Sequence, residues 1–180
     1  MVFEQKLSDK EILARQHAKH AEKRTVPLVV ILNHIRSLYN VGSIFRTADG
    51  IGIEKLWLCG ITGTPGSSRS MISKTALGAE KVVDWGYAWD AVSVARLYKA
   101  HGYEIVLLEQ IKGSHPYNLY QPKKPVCLVL GNEVEGISDE FLKLCDVPLE
   151  IEMAGLKNSL NVSVAFGIVA YDIKHKLSKS

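Results

Sequence analysis

The sequence predicts a single α/β domain, built on a mostly parallel sheet with helices on both faces. Three observations predict it. The chain has 180 residues, of which 47% are hydrophobic, enough to bury a core without disulfide or metal staples. Several short, unbroken apolar runs, LVVIL, EIVLL and VCLVL, have the length and continuity of strands buried on both faces. These runs alternate with segments of helical periodicity, the pattern of a sheet whose parallel strands are joined by helices.

Residues 1–24 form an N-terminal extension and 25–180 the domain proper. The extension opens on Ser8-Asp9-Lys10-Glu11, which has the spacing of a capping box, so a helix is expected from there to about Lys23. Its apolar material is limited to Leu7, Ile12, Leu13 and alanines. Such a thin face packs on something else or touches a partner rather than building a core.

After Pro27, Leu28–Leu32 is the first strand. Asn40 is placed to cap a helix that runs to about Gly50. Lys55–Cys59 is the second strand, and Ile61–Ser70 (ITGTPGSSRS) is a loop by its glycine, proline and serine content. A short helix over Met71–Leu77 stops at Gly78. Lys81–Trp85 is expected as the third strand, Trp89–His101 as an amphipathic helix and Glu104–Leu108 as the fourth strand. Lys112–Lys124, with two prolines, reads as a long loop. Val126–Leu130, Ser138–Leu144 and Val147–Glu152 follow as strand, short helix and strand, and Ser159–Lys176 closes the chain as a helix. That last helix is apolar all round, from Leu160 and Val162 to Tyr171 and Ile173. It must be enclosed, by its own chain or by a second subunit.

Composition excludes whole classes of function. No apolar run approaches a membrane span, and the first residues lack the apolar core of a secretory signal. Cys59, Cys127 and Cys145 are odd in number and contain no CxxC. They read as small buried hydrophobes in a reducing, cytoplasmic compartment. No metal is expected: only His17 and His20 have ligand spacing, on a polar helix. The net charge of +3 is unevenly placed. Residues 1–24 hold six Lys/Arg against four Asp/Glu, and 171–180 hold three against one. The middle holds thirteen against fourteen. Bulk coating of nucleic acid is excluded, and a local basic patch is not.

Ligands of parallel sheets bind at the carboxyl ends of the strands. Those ends fall at Asn33, Gly60, Glu109, Gly131 and Met153. There is no GxGxxG after the first strand and no P-loop lysine, which argues against ordinary dinucleotide or nucleoside-triphosphate sites. His34 lies near a strand end and reads as structural. Three segments stand out. In Asn33–Asp49, Gly42 lets backbone approach closely, and Arg46, beside the apolar Ile44, Phe45 and Ala48, calls for a carboxylate or phosphate acceptor. In Leu130–Ser138 a strand runs into a glycine turn carrying Glu133. In Ile151–Ser163 small and amide residues introduce the last helix. Each segment alone is explained by helix capping or an ordinary loop. Their convergence on one end of one sheet is not.

NVGSIFRTAD, LVLGNEVEGIS and IEMAGLKNSLNVSVAFGIVAYD resemble the three signature motifs of the SpoU (TrmH-like) RNA ribose 2′-O-methyltransferases, in the SPOUT superfamily. The likeness runs from about Val26 to Tyr171, in order and spacing. It implies a C-terminal deep trefoil knot, a rare topology that strand patterns do not suggest. It also implies a homodimer with the active site at the interface, and S-adenosylmethionine bound against the knot. Carried over, the cofactor shell is Glu109, Leu130, Gly131, Ile151, Met153, Ser159 and Leu160. The catalytic positions are Asn40, Arg46, Glu133 and Asn161, with Ser159 fitting one as well.

The implied reaction is attack of a ribose 2′-hydroxyl on the methyl carbon of a sulfonium. The leaving thioether is neutral, so the chemistry needs a positioned hydroxyl, proton removal and alignment, and no metal. The family proposal makes Arg46 the proton acceptor. Guanidinium groups hold their proton strongly, so a bidentate clamp on the 3′ phosphate of the target nucleotide is the alternative. An RNA substrate, tRNA ahead of rRNA on the chain's compact length, needs a basic approach surface. Candidates are Lys10, Arg15, Lys19, Lys23, Arg24, Arg36, Arg69 and Lys74, with Tyr39, Tyr117 or Tyr120 for stacking. Two competing readings are a knotted RNA-binding protein without catalysis and a base N-methyltransferase of the same superfamily. The first is opposed by the retention of Asn40, Arg46, Glu133 and Asn161, and the second by the Asn40 and Arg46 pair.

Overall fold

A computed structural model describes residues 7–8, 10–12, 14–15, 25–66, 69–132 and 136–178. Seven parallel strands form one sheet in the order β3-β2-β1-β6-β4-β7-β5. They are β1 (Val26–Asn33), β2 (Ile53–Cys59), β3 (Trp85–Ala88), β4 (Glu104–Leu108), β5 (His115–Pro116), β6 (Val126–Leu130) and β7 (Val147–Glu150). The helices are α1 (Leu38–Ile51), α2 (Arg69–Ala76), α3 (Ala91–Ala100), α4 (Asp139–Leu144) and α5 (Val162–Leu177).

Alternation along the central strands divides the core into two layers. Leu28, Val30 and Leu32 of β1 join Ile44, Phe45 and Ala48 of α1, Ile72 of α2 and Phe166, Val169 and Ile173 of α5. Val29 and Ile31 face the other way, with Ala91, Val92 and Ala95 of α3 and Phe141 of α4. Both faces of β1, β4 and β6 are therefore covered, which is why these strands read as unbroken apolar runs.

Several boundaries differ from those expected. Ser37, not Asn40, caps α1: its side chain accepts from the Asn40 N–H, and Asn40 lies within the first turn. The third strand is Trp85–Ala88 rather than Lys81–Trp85, because Gly78, at φ 98°, turns the chain into a single 3-10 turn over Ala79–Lys81. The Lys112–Lys124 loop contains β5, which pairs with β7. α5 begins at Val162, capped by Asn161, so Ser159 and Leu160 precede it. At the N-terminus the Ser8 N–H and hydroxyl both donate to the Glu11 carboxylate, at 2.8 and 2.7 Å, forming the expected capping box. Residues 10–12 and 14–15 are helical, and 16–23 of the expected helix lie outside the described residues.

The last helix is enclosed on one side only. Phe166, Val169, Ala170 and Ile173 are buried, whereas Val164 and Tyr171 are each 49% exposed. Among the described residues, no helix is long and apolar enough to cross a membrane.

Candidate active site at the carboxyl edge of the sheet

Register brings the segments of interest side by side. Leu32 pairs with Leu130, Leu130 with Leu108, and Leu108 with Leu149. Asn33, Gly131, Glu109 and Ile151 therefore leave adjacent strands at one edge. Glu109 and Gly131 follow directly on β4 and β6, and Ile151 on β7. Met153 lies three residues beyond β7.

Side-chain hydrogen bonds then tie the loops to one another. The Asn132 amide donates to the His34 carbonyl (3.3 Å), joining the loop after β6 to the end of β1. The Gln110 amide donates to the Asn158 carbonyl (2.8 Å), joining the loop after β4 to the segment before α5. Asn161 Nδ2 donates to Asn40 Oδ1 (3.0 Å), joining that segment to α1. The carboxylate of Glu109 reaches the loop after β6, so a Cβ added at Gly136 would lie 3.2 Å from its Oε2. Gly131 has no room for a side chain either. A Cβ there would lie 2.7 Å from Ile137 and 2.9 Å from the Gly136 carbonyl, because Asn132 and Gly136 close the loop on itself.

These contacts unite Asn40, Glu109, Gly131 and Asn161. They also reveal Gln110, which motif reading had passed over, bonded to Asn158 of the third segment; the clue was that Gln110 lies two residues beyond the end of β4. A crevice of about 770 Å³ opens between the loops after β4 and β7, lined by Gln110, Glu150, Ile151, Glu152, Met153, Lys157 and Asn158 among others. Of the expected cofactor shell, Ile151 and Met153 line it. Leu130 is buried in the core beneath, Ser159 is exposed and Leu160 half-buried beyond.

Arg46 is exposed on α1 and makes no hydrogen bond or ion pair with a described residue. The expected crowding by Ile44, Phe45 and Ala48 does not occur: those three turn into the core and Arg46 turns to solvent. Glu133 lies outside the described residues. Among the candidate RNA contacts, Tyr120 is buried and its hydroxyl is engaged by the Glu104 carboxylate, so it cannot stack on a base. Tyr117 packs half-buried against the core, and Tyr39 remains exposed. Lys19, Lys23 and Arg24 lie outside the described residues, as do His17 and His20. Among the described residues, no group of three or more His, Cys, Asp or Glu could hold a metal ion. Cys59 and Cys127 are buried and desolvated. Burial pushes the Cys59 thiol up to about 12, and the Cys127 thiol upward as well.

The model of the SpoU rRNA methylase family matches residues 27–171, well over half of the chain. The chain belongs to the SpoU rRNA methylase family. Among its SpoU relatives is the tRNA (guanosine(18)-2′-O)-methyltransferase of Aquifex aeolicus, 31% identical over 155 residues that cover 86% of this chain and 72% of the relative. The crystal structure of the A. aeolicus TrmH/SpoU tRNA modifying enzyme superposes with a TM-score of 0.79 at 28% identity, covering 93% of this chain and 85% of that one. The SpoU methyltransferase AviRb from Streptomyces viridochromogenes, in complex with the cofactor AdoMet, gives a TM-score of 0.74 at 25% identity, covering 87% of this chain and 63% of that one. The seven-stranded α/β architecture is thus the SpoU fold.

Proposed function

We propose that this SpoU chain is an S-adenosylmethionine-dependent RNA ribose 2′-O-methyltransferase acting on tRNA. The observation that carries the reading is the convergence of the three motif segments at the carboxyl edge of the sheet, two of them joined directly by the hydrogen bond between Asn40 and Asn161. The family match and the tRNA-modifying relatives support it.

The residues present fit the cofactor. The crevice beyond β4 and β7 pairs apolar Ile151 and Met153 with the Glu150 and Glu152 carboxylates and with exposed backbone of small residues. Apolar side chains suit the adenine faces, and the polar groups suit hydroxyls and an amine. Glu109, Leu130, Gly131, Ile151, Met153, Ser159 and Leu160 form the shell that would hold it. When bound, the cofactor supplies an electrophilic methyl on a sulfonium.

The chain's own residues do the rest. Arg46, exposed and uncommitted to any described partner, clamps the 3′ phosphate of the target nucleotide through paired N–H donors and brings the 2′-hydroxyl into line. The proton leaves to that phosphate, because a guanidinium donating both its N–H groups has no lone pair to take it. Glu133 orients Arg46, and Asn161 holds Asn40 and so the start of α1. Ser159 completes the catalytic set. The reaction needs no metal, because its leaving group is neutral.

The chain functions as a homodimer in the cytoplasm. Val164, Ile168 and Tyr171 recur at four- and three-residue spacing on the uncovered face of α5, the site of a subunit contact that would complete the enclosure of this helix. Residues 1–24 form an extension to the methyltransferase domain of 25–180, whose C-terminal segment is knotted.

Incubation with labelled S-adenosylmethionine and either total tRNA or rRNA, followed by nuclease mapping of the labelled ribose, tests the reading. A 2′-O-methylated nucleoside in tRNA is expected, with RNA affinity falling steeply as salt rises. Label on a base, label confined to rRNA, or RNA binding without transfer would refute it in favour, respectively, of a base methyltransferase, an rRNA enzyme or a non-catalytic binder.

A further inference from the structure

A second crevice, of about 390 Å³, opens at the end of β1 on the opposite face of the sheet from α1 and α5. Its floor is Asn33. This residue is only 9% exposed, and its carboxamide has no hydrogen-bond partner among the described residues. Alternation along β1 fixes its direction. Val29 and Ile31 belong to the core layer beneath α3 and α4, Asn33 is the next residue on that face, and it pairs in register with Cys59 of the same layer. Val92 and Phe141, from that layer too, form the apolar wall. Its amide atoms are not sealed from solvent, so their edge stays accessible through the crevice to a hydrogen-bonding group from outside.

The rest of the crevice indicates what that is. Trp89 stands at the rim with 68% of its surface exposed, although it is among the largest apolar side chains of the protein. His34 and Asn132 line the other side, and Asn132 belongs to the loop that closes on the candidate active site. No Lys or Arg is among the described lining residues. Among the described lining residues the one carboxylate, Asp90, is committed to capping α3 and to the Ser93 hydroxyl. Such a lining repels a phosphate. It suits a flat, uncharged group with apolar faces and a hydrogen-bonding edge.

We propose that this crevice holds an unpaired nucleobase of the RNA substrate, stacked on the Trp89 indole and read at its edge by the Asn33 carboxamide. Side-chain amides pair two-pronged with base edges, and aromatic side chains are the usual platform for splayed-out bases. The inference rests on the RNA reading of the site and deepens it: the loop through Asn132 and Gly136 separates this pocket from Glu109, so one strand of RNA could engage both.

Titrating the full chain with single-stranded RNA 10-mers of each homopolymer, at low salt, tests the proposal, with tryptophan fluorescence as the readout. Quenching is expected, and it should vanish in Trp89→Phe,Trp57 and Trp85 being largely sheltered. Trp89→Ala and Asn33→Ala should each weaken RNA binding about tenfold, and Asn33→Asp should change the order of preference among the four oligomers. Calorimetric affinity for S-adenosylmethionine and thermal stability should be unchanged in all of them. Quenching without methyl transfer would sink the enzymatic reading and leave the pocket standing. Methyl transfer with no quenching, or with both alanine variants binding RNA like the wild type, would overturn the pocket and leave the enzyme.

Discussion

Asn161 performs two tasks with one side chain, and substitution separates them. Its Oδ1 accepts from the Ser163 N–H at 2.9 Å, capping α5, and from the Ser163 hydroxyl at 2.7 Å. Its Nδ2 donates to Asn40 at 3.0 Å. Alanine removes both. A lost cap costs about 1 kcal/mol. The lost amide pair, exposed to water, costs about 0.5–1 kcal/mol. Together they amount to a fall of roughly 3–8 °C in Tm for a chain of this size. Serine caps a helix nearly as well as asparagine but cannot reach Asn40, so Asn161→Ser should lose only the second part, about 1–4 °C. Thermal denaturation by circular dichroism measures the first effect, and methyl transfer to tRNA the second. Both variants should transfer poorly, since both release Asn40 from the segment that precedes α5. If serine is as unstable as alanine, the cap is not what Asn161 provides. If Asn161→Ser transfers at the wild-type rate, the link between the two motifs is not part of the machinery.

Other perturbations have distinct signatures. Arg46→Ala should abolish transfer, and Arg46→Lys should retain little, because an ammonium cannot make the paired contact; the melting temperature should hold, since Arg46 is exposed and makes no bond to a described residue. Near-normal turnover in Arg46→Ala would remove it from the mechanism. Gly42→Ala would place a Cβ 2.1 Å from Thr75 Oγ1 and 2.3 Å from the Ile72 carbonyl oxygen, at the contact of α1 with α2. The net cost is on the order of 1–2 kcal/mol once the helix preference for alanine is credited, read as a lower urea midpoint. The chain should also weaken in alkali. Burial lifts the Cys59 thiol from 9.0 to about 12. It lifts the Tyr103 and Tyr120 phenols as well, aided by Glu54 and Glu104. Groups raised by folding contribute fully below their unfolded pKa, and that contribution is lost as pH climbs towards the folded value. The urea midpoint should therefore be steady near neutrality and decline from about pH 9 upward; a flat profile to about pH 10.5 would contradict the burial of these groups.

What could be read from the sequence follows from how local each determinant is. β1, β4 and β6 are buried on both faces by helices, so burial wrote itself into unbroken apolar runs, and their extents match expectation within a residue or two at each end. β3 is an edge strand of four residues, WGYA, with no such run. The more apolar KVVDW beside it drew the expected start four residues too early. β5 is two residues long and contains a proline. Only its neighbour β7 defines it. Cap positions slipped for a different reason: where several candidates crowd one turn, as Ser37 and Asn40 or Ser159 and Asn161 do, composition does not choose among them, and geometry chose Ser37 and Asn161.

The candidate site divides along the same line. Its three segments were legible as motifs because glycines and amides cluster at strand ends. That β6 and β4 lie between β1 and β7, so that Asn33, Gly131, Glu109 and Ile151 emerge as neighbours, is a property of crossover order and is written in no local segment. Nor was the orientation of Arg46. Three apolar neighbours in sequence suggested a crowded guanidinium, but on a helix consecutive residues point about 100° apart, so Ile44, Phe45 and Ala48 could fill the core only by leaving Arg46 to face outward. An outward guanidinium with no bond to a described residue suits a ligand that arrives from solvent better than one stored within the fold. The same geometry that corrects the sequence reading therefore strengthens the phosphate-clamp role over a purely structural one.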